Sequence, residues 1–78
     1  MPIKPVFVIM SYEREFYEHN LCFIVPDYVQ IMRVTRVDQL RGLHMVGFYI
    51  DHRLASNLNA ETLNRIKDLV QLQLNRPN

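Results

Sequence analysis

Val6-Phe7-Val8-Ile9-Met10 is apolar without a break, so a strand built on it has apolar side chains on both faces. That run constrains the fold more than any other, because such a strand needs cover above and below the sheet. The chain has 78 residues to supply it, room for one domain over 1–78 and a single core. Surface scaling puts about 60–65% of the unfolded surface out of water, enough to fold with a small margin. Hydrophobic residues make up 49% and charged ones 22%, which argues against disorder.

Ser11 is placed as an N-cap, and a short helix is expected over Tyr12–Asn20, with Glu13 and Glu15 in its first turn and His19 in its last. Leu21–Val25 is a second apolar run, closed by Pro26-Asp27, and Tyr28–Thr35 follows. Two runs around a Pro-Asp corner predict a hairpin, with the second strand nearer the edge. Val37–Arg41 is read as one helical turn stopped by Gly42. Leu43–Ile50 is the clearest strand, with Val46, Phe48 and Ile50 on one side and Leu43, Met45 and Tyr49 on the other. Gly47 leaves room there for a close neighbour. Asn57 or Asn59 starts a last helix whose inner stripe is Leu63, Ile66, Val70 and Leu74, widened by Leu69 and flanked by Leu72. Arg76-Pro77-Asn78 is read as a frayed tail.

These elements predict an α/β (or α+β) domain: a small mixed sheet of three to four strands, a short N-terminal helix and a long C-terminal helix. One long and one short helix cover two sheet faces poorly. That shortage leads to the expectation of a homodimer.

The charges exclude several classes. Nine basic and eight acidic side chains leave +1, so neither a basic nucleic-acid coat nor an acidic nucleic-acid mimic is indicated. One cysteine rules out an internal disulfide framework and fits a reducing compartment. Apolar runs such as Val6–Met10 are far short of the roughly 20 residues of a membrane span, and the expected location is cytoplasmic. His19, His44 and His52 are too scattered for a local ligand set, and Cys22 sits within an apolar run, so no metal or cofactor is expected. With only Gly42 and Gly47, no phosphate-cradling loop can form. Asp51 and His52 at a strand end are the acid–base candidates, weighed against a plain Asp51–Arg53 ion pair.

Asp38-Gln39-Leu40-Arg41-Gly42-Leu43-His44-Met45-Val46-Gly47-Phe48-Tyr49-Ile50-Asp51 resembles the stretch entering the Walker B strand of helicase- and terminase-type ATPases. The resemblance covers these residues alone and implies a magnesium-binding role for Asp51. His52 stands where the catalytic glutamate usually follows, and no Walker A lysine loop is present, so what it implies is an inactive remnant. Val46–Ile50 is also similar to the aromatic strand of RNA-recognition sheets, although neither lysine nor arginine directly precedes Gly47.

The expected function is a non-enzymatic protein–protein interaction or regulatory module. It would be homodimeric, an accessory protein of phage or plasmid type that modulates a larger protein. Its contact residues would be Tyr12, Tyr17, Tyr28, Arg33, Arg36 and Arg41, types that bury large area at interfaces. The alternative is nucleic-acid binding through Arg33, Arg36, Arg41 and Arg53, set against an acidic first third.

Overall fold

A computed structural model describes residues 4–74, so the expected C-terminal frayed tail lies outside the described residues. The order is β1 (Val6–Met10), α1 (Glu13–Cys22), β2 (Gln30–Val34), a 3₁₀ turn (Val37–Leu40), β3 (Met45–Ile50), α2 (His52–Ala55) and α3 (Ala60–Leu74). One three-stranded sheet has the order β2-β1-β3, and β1 runs parallel to both neighbours. The expected α/β class, with one small sheet, a long C-terminal helix and a shorter N-terminal one, is what the chain forms.

The doubly apolar run occupies the centre of that sheet. Val6, Val8 and Met10 face the main core with Val34, Leu40, Met45, Leu54, Ile66 and Val70. Ile9, from the other face, is equally buried outside that cluster. Beside it Phe7 packs on Phe23 at 4.9 Å between ring centroids, Phe23 on Tyr49 at 5.2 Å, and Tyr49 on His19 at 4.8 Å. This aromatic pad lies on the α1 face and adds to the cover given by a ten-residue helix that has no fully buried residue.

The expected hairpin does not form. Leu21 and Cys22 complete α1, and the chain leaves the helix at Phe23 in an extended conformation. A short apolar run is equally compatible with a helix end, and here the spacing from Glu15 and Phe16 through His19 carries the helix onward. β2 then starts after the Pro26–Val29 turn and pairs with β1 in parallel, from Val6↔Gln30 to Met10↔Val34. Ser11 does not cap α1. Its N–H bonds the Val34 carbonyl at 3.2 Å, extending the ladder past β1, and Tyr12 takes the cap position.

β3 carries a register irregularity that the alternation rule misses. Val6 pairs with Met45 but Phe7 pairs with Gly47, so Val46 opposes no β1 residue. Met45 therefore turns into the same core that Phe48 and Ile50 pack against, rather than facing away from them. Gly42, after the 3₁₀ turn, has φ +75°, a conformation that costs little only for glycine. Asn59 Oδ1 accepts the Thr62 N–H at 2.7 Å and starts α3 as expected. Ile66 and Val70 are buried and Leu63 and Leu69 half-buried, whereas Leu72 and Leu74, the latter expected inside, are exposed. No helix among the described residues is long and apolar enough to cross a membrane.

Candidate functional site

The carboxyl ends of parallel strands are where α/β sheets usually bind ligands. Here Ser11 follows β1 and Asp51 follows β3, held side by side by the Asp51 N–H bond to the Met10 carbonyl at 2.9 Å. Both residues are fully buried. β3 aims Asp51 toward α1, which presents His19 to Asp51 and Glu15 and Glu18 to Arg53.

Asp51 is saturated by its own chain. Oδ1 accepts the Arg53 backbone N–H at 2.7 Å, which caps α2, and Arg53 Nε at 3.0 Å. Oδ2 accepts Arg53 Nη2 at 2.7 Å and stands 2.6 Å from His19 Nε2. Four donors fill the acceptor capacity of an ionised carboxylate, with His19 in the tautomer that donates from Nε2. The Arg53 guanidinium holds the carboxyl well below the usual carboxylate range; burial opposes this, and the His19 bond reinforces it. Arg53 also reaches Glu18 at 3.4 Å and Glu15 at 3.7 Å. The same edge is bridged further along, where Asn57 Nδ2 donates to Tyr12 Oη at 2.9 Å.

This arrangement makes a clamp between β3 and α1. A base with a strongly lowered pKa and no free lone pair does not take protons from a substrate near neutral pH. The implied magnesium does not fit Asp51 either, because the carboxylate oxygens point at a guanidinium that would repel the ion. Among the described residues no group of three or more His, Cys, Asp or Glu is arranged to hold a metal. Ser11 Oγ has no hydrogen-bond partner and no exposure.

The remaining candidates scatter over the surface. His52 opens α2 and is exposed; His19, 32 residues before Asp51, is its actual partner. Arg53 is engaged in the clamp, with its side chain 41% exposed. Arg33, Arg36 and Arg41 are exposed and take part in no ion pair among the described residues. Tyr12 is tied to Asn57, while Tyr17 and Tyr28 are 61% and 70% exposed. Leu21 and Ile24 were not among the expected contact residues, and among the described residues they are the most exposed large apolar side chains, at 86% and 97%. The signal for the clamp was present as Glu15-x-x-Glu18-His19, one face of a helix, and as Asp51-x-Arg53, a cap followed by a cation. Compared with known proteins, the chain matches no family model, no curated protein and no solved structure.

Proposed function

We propose that this chain is a non-enzymatic interaction module that acts as a homodimer and binds a larger protein through the segment from Tyr17 to Tyr28. The observation that carries this reading is the exposure of Leu21 and Ile24 between two open tyrosines. Each such aliphatic side chain gains about 1.5–3 kcal/mol when fully buried, and tyrosines are favoured interface anchors. The saturated Asp51 supports the non-enzymatic half, since the one strand-end carboxylate is spent on structure.

The test compares the full chain with a Leu21→Glu, Ile24→Glu double variant, each immobilised and exposed to extract of the native host under cross-linking. Both side chains point to solvent, so the variant keeps its fold by circular dichroism. The reading expects one protein retained by the parent chain and lost from the variant. Equal retention by both, or none by either, overturns it.

Nucleic-acid binding through Arg33, Arg36 and Arg41 is a second reading, favoured by their exposure without carboxylate partners. It expects a mobility shift that weakens steeply with salt; absence of a shift at about 50 mM salt ends it.

A further inference from the structure

We infer that the outer edge of β3 is the self-association surface, pairing antiparallel with β3 of a second copy about a two-fold axis at Tyr49. This rests on the homodimer reading above and names the surface that serves it.

β3 is an edge strand, with β1 on one side and no further strand among the described residues on the other. Asp51 turns its N–H to Met10 of β1. Backbone groups alternate between the two sides of a strand, so Phe48 and Ile50 present theirs to the open edge. Their side chains pack toward the α3 face of the sheet, where they line an apolar groove of about 320 Å³ with Leu63, Ile66 and Val70 of α3. A strand laid along β3 closes this groove from the side while pairing the unpartnered backbone groups.

The occupant follows from the edge itself. Met45–Ile50 contains no charge and no proline, the two commonest guards of an edge strand, whereas β2 at the opposite edge carries exposed Arg33. An uncharged edge meets its own copy with no like-charge repulsion. The register about Tyr49 is self-complementary: Phe48 lies opposite Ile50 of the second copy, an aromatic against a β-branched residue, and Tyr49 lies opposite itself. The irregularity at Val46, which is 49% exposed, stops regular pairing on that side and so limits slippage. A standard interface takes about 800 Å² from each partner. Two short edges do not supply that, so the flank of α3 around Leu63, Lys67 and Gln71 is covered with them.

Hydrogen exchange on the unaltered protein, beside its mass by light scattering, gives the test. In the dimer the Phe48 and Ile50 amides donate across the axis, and they exchange about a hundredfold more slowly than in dilute monomer. In a Cys22→Ser background, Tyr49→Cys places two thiols across a non-hydrogen-bonded pair, within disulfide reach, and mild oxidation is expected to link the copies covalently. A dimeric mass with unprotected Phe48 and Ile50 amides overturns this interface while leaving self-association standing. A monomeric mass overturns both. The amide measurement needs no substitution, so misfolding of the cysteine variant cannot mask the outcome.

Discussion

His19 and Asp51, 32 residues apart in sequence, meet at 2.6 Å and join the last turn of α1 to the carboxyl end of β3. The contact makes α1 part of the sheet's end rather than a loosely laid cover. Asp51→Asn keeps the shape but loses the charge that organises Arg53 and His19. We expect it to destabilise the chain by about 2–4 kcal/mol in urea unfolding, as when one member of a buried pair is lost. His19→Ala removes one bond to Asp51 and the ring packed on Tyr49 but leaves the Asp51–Arg53 pair intact, and should cost less. An Asp51→Asn variant as stable as the parent would mean the clamp is ornamental.

Acid should dissolve the same clamp. The Asp51 carboxyl is held below its usual value in the folded chain, so its contribution to stability is complete above the unfolded value, near pH 4. It is lost as pH falls from there toward the lower folded value. The stability gap between parent and Asp51→Asn should therefore be constant from pH 7 to about pH 5 and shrink below pH 4. A gap that widens in acid would contradict this sign.

Gly47 offers a sharper packing test. A Cβ there would overlap Cδ2 and Cε2 of the Phe7 ring, closer than any real side chain comes. Gly47→Ala must push the Phe7 ring off Phe23, at an expected loss of about 1–3 kcal/mol. Phe7→Leu clears the space, so the double variant should be less destabilised than the two single effects added together. Strict additivity, measured by thermal unfolding, would show the crowding to be harmless.

Much of the architecture was legible because it follows from burial. The β-branched, aromatic run Val6–Met10 reads as a strand covered on both faces, and it is the central one. The stop at Gly42, the cap at Asn59 and the stripe of Leu63, Ile66 and Val70 carry local signals of known physical origin. Leu21–Val25 misled because five apolar residues have no period of their own, and only the continuing α1 ladder decides between helix end and strand. Met45 misled because one unpaired residue inverts every side chain before it. The Asp51–Arg53 pair could be foreseen from residues two apart; Glu15, Glu18 and His19 share a helix face, but nothing local says which strand end that face meets.

Self-association is the claim on which the functional account turns. Light scattering on the eluting peak of a size-exclusion column measures it without any substitution. At about 100 μM, well above the micromolar dissociation constants of weak dimers, the account predicts a mass twice the 9.3 kDa of one chain. A single 9.3 kDa species at that concentration would contradict it.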